Sequence, residues 1–140
     1  MMITHDLGVI AETCDAVSVM YAGSVVETGS LEQVLGSPRM PYTIGLLHSI
    51  PRIKQAGEER VDLPIIPGQV PDPNEEFDGC RFHPRCPFAD DLCRTKPPQM
   101  LEVSKGHYAA CHHTDLTTNL ETAQEAFCSE EFLQSGVNVQ

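Results

Sequence analysis

Four cysteines are the residues best placed to do chemistry. Cys80, Cys86, Cys93 and Cys111 fall within 32 residues, spaced Cys-x5-Cys-x6-Cys-x17-Cys. Such thiols can pair as disulfides, bind a metal, or pack as small apolar groups. Disulfides belong to oxidising compartments, and Met1 to Val9 has neither the basic flank nor the apolar run of a secretory leader. Structural zinc wants a tetrahedron of ligands, usually from C-x2–4-C knuckles, and no C-x-x-C occurs here. An iron–sulfur cluster is larger and accepts four cysteines from wider loops. A [4Fe–4S] cluster on Cys80, Cys86, Cys93 and Cys111 is therefore the leading expectation. Zinc on the same four residues, unliganded thiols and disulfides remain open.

The residues around these cysteines suit an anionic centre. Between Cys80 and His113 there are five Lys or Arg against three Asp or Glu, plus four His. Arg81, Arg85 and Arg94 each adjoin a cysteine, and basic groups or backbone N–H groups stabilise cluster sulfurs. Pro84, Pro87, Pro97 and Pro98 restrict the loops and remove competing N–H donors. His83, His112 and His113 are close enough in sequence to act as substitute ligands, but packing or supporting roles are expected. Cys14 is expected in the core and Cys128 to be a bystander.

A second candidate is His5, which follows a short apolar run and precedes a predicted helix. Helix N-termini present free N–H groups and a positive dipole end, so anions gather there. A histidine at that place can donate to a phosphate oxygen. Taken alone, a histidine at a strand end is more often structural.

The elements that must position these residues fall into three zones. In the first, Leu7, Ile10, Ala11 and Cys14 recur at helical spacing. Ala16 to Tyr21 reads as a strand, Ala22-Gly23 as a turn, and Ser24 to Thr28 as the partner strand. Ser30 and Gln33 form a capping-box pattern that starts a short helix, ended by Gly36 and Pro38. Pro41 to His48 predicts a further helix, stopped by Pro51. The second zone, Arg52 to His113, shows little periodicity. Glu58 to Asp78 holds seven acids and one base among four prolines, which predicts an extended connection. In the third, Thr114 to Gln140, Leu116, Leu120, Ala123 and Phe127 suggest an amphipathic stripe, expected as a solvated helix with a frayed end.

Composition narrows the function classes. The 140 residues carry 20 acids against nine Lys and Arg, a formal charge of −11. That excludes a general nucleic-acid binder and argues against docking on anionic lipid. No apolar run approaches the roughly 20 residues of a membrane-spanning helix.

Longer stretches bring in a resemblance. Ile3 to Leu35, ITHDLGVIAETCDAVSVMYAGSVVETGSLEQVL, resembles the end of the ATP-binding domain of ABC transporters, with its T-H-D switch loop and D-x-V-x-V-M-Y-x-G-x-I-V-E-x-G hairpin. Ile66 to His112 is similar to the C-terminal extension of oligopeptide/dipeptide-type ABC ATPase subunits: P-G-x-x-P, G-C-R-F-x-x-R-C-P-x-A, a third Cys, P-P, and G-H-x-x-A-C-H. The family's H-P-Y-T appears here as Met40-Pro41-Tyr42-Thr43, a departure at its first position. The resemblance covers about Met2 to His113.

By that resemblance His5 is the switch histidine that contacts the ATP γ-phosphate, and Asp6 starts the helix after it. The four cysteines would hold the family's [4Fe–4S] cluster, in a structural rather than redox role. The implied fold is α/β: residues 1–37 the end of an ABC ATP-binding domain (strand, helix, hairpin, helix), 38–113 a loop-rich cysteine-cluster extension, and 114–140 an acidic tail. The implied function is the ATP-binding subunit of an importer of oligopeptides or dipeptides. Its partners would be a sister ABC ATPase and two membrane permeases, with no nucleic acid and no direct peptide contact. It would lie at the inner face of the cell membrane. From about Pro38 the extension would pack on the sister subunit. The sequence contains no G-x-x-x-x-G-K-[ST] loop, no LSGGQ signature and no strand ending in Asp-Glu. Phosphoryl transfer needs those parts. The 140 residues are thus expected to act as a C-terminal fragment, inactive alone, with ATP and magnesium bound only in a complete subunit. They are also expected to associate through an exposed sheet edge. The alternative is a stand-alone iron–sulfur or zinc module.

Overall fold

The computed structural model describes residues 1–50, 65–72, 77–129 and 132–133. Most of the proline-rich connection expected over Glu58 to Asp78 therefore lies outside the described residues. The architecture is mixed α/β around an antiparallel sheet.

Asp6 opens the first helix, α1 (Leu7–Thr13), its carboxylate accepting from the Gly8 and Val9 N–H groups. Residues 1–4 form no strand, so nothing at the N-terminus extends the sheet. Helix α1 buries no residue, and Cys14 is half-buried rather than in the core.

Strands β1 (Ala16–Tyr21) and β2 (Ser24–Ser30) form the expected hairpin. Ala22 and Gly23 both have positive φ, 45° and 81°, the conformation a two-residue turn needs to match strand twist. Strand β2 runs two residues further than its sequence pattern suggests. Its end meets the capping box, in which Ser30 Oγ accepts from Gln33 N (3.3 Å) and Gln33 Oε1 from Ser30 N (3.0 Å). That box starts α2 (Leu31–Gly36). Helix α3 (Pro41–His48) follows, with proline at its first position.

Beyond the connection the chain is more regular than its sequence suggests. After a 3-10 turn at His83–Arg85 come α4 (Asp91–Thr95), β3 (Leu101–Ser104) and β4 (His107–Ala109). Strand β4 pairs with β2, Glu27 opposite Ala109 and Thr28 opposite Tyr108, giving the sheet order β1-β2-β4-β3. The cysteine segment is thus stitched into the hairpin that precedes it.

The last helix, α5 (Leu120–Cys128), corrects the expectation of a solvated tail. Ala123 and Phe127 are fully buried and α5 packs on α3, although Leu116 is exposed. The core joins Tyr21, Val26, Met40, Ile44, Phe82, Ala123 and Phe127, so it draws on all three zones. Met40, which stands where the family pattern has histidine, belongs to this core.

Candidate metal centre

Three short segments converge on the thiols. Cys80 and Cys86 flank the 3-10 turn, Cys93 lies in α4, and Cys111 follows β4. The Cys80 N–H donates to the Cys93 carbonyl at 2.8 Å, tying the first loop to α4. The Ala110 N–H donates to the Val26 carbonyl at 2.8 Å, which fixes the approach of Cys111. Gly79 permits the first tie, because a Cβ there would overlap the Cys93 carbonyl oxygen and sit 2.6 Å from that of Arg94. Tyr21, Tyr42 and Phe82 cluster with centroids 4.6–5.4 Å apart, in tilted and edge-to-face arrangements. Cys80, Cys86 and Cys111 pack against the core that contains Tyr21 and Phe82.

All six cysteines are free thiols. The four candidates share one electrostatic neighbourhood: Cys86 interacts with Cys111, Cys80 and Cys93, and Cys111 with Cys80 and Cys93. Burial above all pushes their pKa values up, Cys111 to about 12 and Cys86 well above the usual thiol range. Burial also raises Cys80 and Cys93. Backbone donors oppose it. Cys80 faces the N–H groups of Phe82 and His83, Cys86 that of Phe88, and Cys111 that of His113, at 3.3 Å. Cys93 faces that of Asp90. Such donors favour thiolate, so all four sulfurs have a backbone donor to support charge once a cation offsets burial.

Spacing constrains what they can hold. One tetrahedral zinc at about 2.3 Å from each sulfur requires sulfurs roughly 3.8 Å apart. Among the described residues, the set whose ligand atoms all fall within 4.8 Å of one another is Asp90, Cys93 and His113. That set takes in Cys93 alone of the four thiols.

The arginines beside the cysteines do other work. Arg81 donates to the Ala22 carbonyl (2.7 Å), and Arg85 forks onto the carbonyls of Pro67 (2.9 Å) and Ile66 (3.0 Å). Arg94 pairs with exposed Asp91. Two of the three therefore clamp loops to the hairpin and the linker. His83 Nδ1 lies 2.8 Å from the Cys80 carbonyl and His112 Nε2 2.9 Å from that of Lys96, as expected of packing residues.

Three residues carry more of the site than the sequence suggests. Glu27, fully buried in β2, accepts from the N–H groups of Arg39 (2.6 Å) and Met40 (3.2 Å), and its Oε1 lies 2.8 Å from His107 Nε2. It locks α3 and β4 to β2. The V-V-E-x-G and G-H patterns contain both residues, but pattern alone gives them no role. Asp90 caps α4 by accepting from the Cys93 N–H at 2.9 Å. That bond first, with His113 adding to it, holds the Asp90 carboxyl down to about 2 against the opposing effect of burial.

His5 is not part of this grouping. It lies exposed one residue before the Asp6 cap.

Comparison with known proteins places the chain. Residues 26–93 match the family model described as the C-terminal region of oligopeptide/dipeptide transporters. A probable peptide ABC transporter ATP-binding protein of Sinorhizobium fredii is 48% identical over 120 residues, 86% of this chain and 35% of that protein. The oligopeptide transport ATP-binding protein OppD of Mycobacterium bovis is 46% identical over 88% of this chain and 20% of its own length. The dipeptide transport ATP-binding protein DppD of Escherichia coli is 41% identical over 81% of this chain and 34% of its own. The chain thus spans about a third or less of these curated relatives. It belongs to the oligopeptide/dipeptide-type family of ABC transporter ATP-binding proteins, of which it carries a C-terminal part.

Proposed function

We propose that this chain serves as the C-terminal part of the ATP-binding subunit of an ABC importer for oligopeptides or dipeptides. The observation that carries this reading is the 48% identity over 86% of the chain to a probable peptide ABC transporter ATP-binding protein. In the complete subunit His5 would meet the ATP γ-phosphate. Residues 1–37 would close the nucleotide-binding domain. The extension from 38 to 113 would bear on a sister ATPase beneath two permeases, at the inner face of the membrane. No helix among the described residues is long and apolar enough to cross a membrane, which accords with a peripheral role.

Cys80, Cys86, Cys93 and Cys111 would hold a [4Fe–4S] cluster. Their shared neighbourhood and the backbone N–H donors facing all four sulfurs support a metal centre there, and four cysteines from separate loops without a C-x-x-C knuckle favour a cluster over a single zinc. Bound there, the cluster would supply a cross-link among the three segments that carry its ligands, beyond the packing of Phe82 and the pairing of β4. Metal ligation can contribute folding free energy on the order of 10 kcal/mol, the scale seen for structural zinc. The acidic tail from 114 would fasten α3 through the Ala123 and Phe127 contacts. A stand-alone metal module would account for the thiols but not for the hairpin and His5 segment.

The test is the His5→Ala variant in a complete subunit assembled with its partners. Peptide-coupled ATP turnover should fall at least a hundredfold while ATP binding persists. Unchanged turnover would remove His5 from the switch role. The 140-residue chain itself should show no magnesium-dependent ATP hydrolysis.

A further inference from the structure

Asp90, Cys93 and His113 form a ligand set that a four-cysteine cluster does not require. Their Oδ, Sγ and ring-nitrogen atoms all lie within 4.8 Å of one another. Cys93 is held in α4 by its N–H bond to Asp90 Oδ1, which leaves Oδ2 to face His113. His113 Nε2 is enclosed by protein and sits 3.1 Å from Asp90 Oδ2, yet it is not aligned there as a hydrogen bond. The two groups pair electrostatically in the absence of metal, and their separation is also close to that of two ligands of one ion. With metal–ligand distances of about 2.0–2.2 Å, tetrahedral geometry separates N and O by roughly 3.4 Å. The set is mixed S, N and O, the donor types that zinc and neighbouring divalent transition ions accept. Asp90 is half-exposed, which leaves solvent an approach to a fourth coordination position.

We propose that Cys93, His113 and Asp90 constitute a mononuclear site for a divalent transition-metal ion, sharing Cys93 with the four-cysteine site but distinct from it. The first ion to reach the metal-free chain binds here, because these three ligand atoms already lie within 4.8 Å of one another. The site is thus a point of entry, or of competition, for metal at the cysteine segment. The inference does not rest on the cluster, since Asp90 and His113 are spare to a four-cysteine site.

Cobalt(II) titration of the reduced, metal-free 140-residue chain tests it. The parent and the Cys80→Ser variant should each take up one equivalent, with the same absorption from a single cobalt–thiolate bond. His113→Gln and Asp90→Asn should weaken that step at least tenfold. Loss of the step in Cys80→Ser, or its survival unchanged in His113→Gln, would assign the ion to the four thiols and overturn the proposal. A second measurement needs no variant. One equivalent of zinc(II) should protect Cys93 from alkylation while Cys80 still reacts, read by peptide mass spectrometry. Protection of all four thiols together, or of none, would also overturn it. Cluster content is measured separately, so failure here leaves the [4Fe–4S] reading standing, and the reverse.

Discussion

Glu27→Ala is the substitution that most directly probes how the extension is fastened. The Glu27 carboxylate is fully buried and satisfies two backbone N–H groups and the His107 ring at 2.6, 3.2 and 2.8 Å. Removing it strands two backbone N–H groups and the His107 ring, of which the Arg39 N–H is only partly buried. Each buried orphan costs about 1–3 kcal/mol, and breaking a buried pair by deleting one partner typically costs about 3–5 kcal/mol. Water entering the vacated space limits the sum, so a loss of about 3–5 kcal/mol is expected. For a chain this size that lowers Tm by about 10 °C or more. In urea, with a slope of about 2 kcal/mol/M, the midpoint should fall by about 1.5–2.5 M. Exposed Glu12→Ala is the control and should change stability by less than about 0.5 kcal/mol. A double-mutant cycle with His107→Ala should return a coupling of about 0.5–3 kcal/mol. A Glu27→Ala loss below about 1 kcal/mol would refute the claim that this carboxylate joins β2, α3 and β4.

Other consequences concern the thiol site and the tail. Gly79→Ala places a methyl against the Cys93 and Arg94 carbonyls and should abolish cluster loading in anaerobic reconstitution; normal loading would show that the loop yields. Phe127→Ala should cost about 3–5 kcal/mol by urea unfolding, since the ring is fully buried; a solvated tail would lose almost nothing. The thiol pKa values are raised by burial, Cys111 to about 12, so the folded metal-free chain favours neutral thiols. That stability is fully present below the unfolded thiol pKa, about 8.5. It is lost as pH climbs from there towards 12. Melting curves of the metal-free chain from pH 7 to 11 should show the decline, and a flat profile would argue that the thiols are solvated. Metal uptake releases thiol protons, so affinity should rise with pH over the same range.

Local rules made the first zone legible. Two positive-φ residues at Ala22-Gly23, the reciprocal Ser30–Gln33 cap and Pro41 at a helix start all act within a few residues, and each works as its chemistry dictates. The second zone hid its order because its partners are distant. Strand β4 has only three residues and gains its meaning by pairing with β2, about 80 positions earlier. Gly106, with φ 76°, marks the β3–β4 turn, and Lys105-Gly106 between Leu101 and Ala109 was the available signal. The arginines teach the same point from the other side. Arg81 and Arg85 adjoin cysteines in sequence, but their guanidinium groups reach carbonyls of other segments. Ala123 and Phe127 did show their helical spacing. Their burial depended on α3, whose presence 80 residues away no window of the tail contains.

Iron and acid-labile sulfide analysis of the anaerobically purified 140-residue chain, read beside its visible spectrum, tests the central claim most directly. Four irons and four sulfides per chain in brown protein, lost together in Cys86→Ser, are the expected result, after the four-iron stoichiometry of such clusters. Colourless protein with stoichiometric zinc and no sulfide would contradict it.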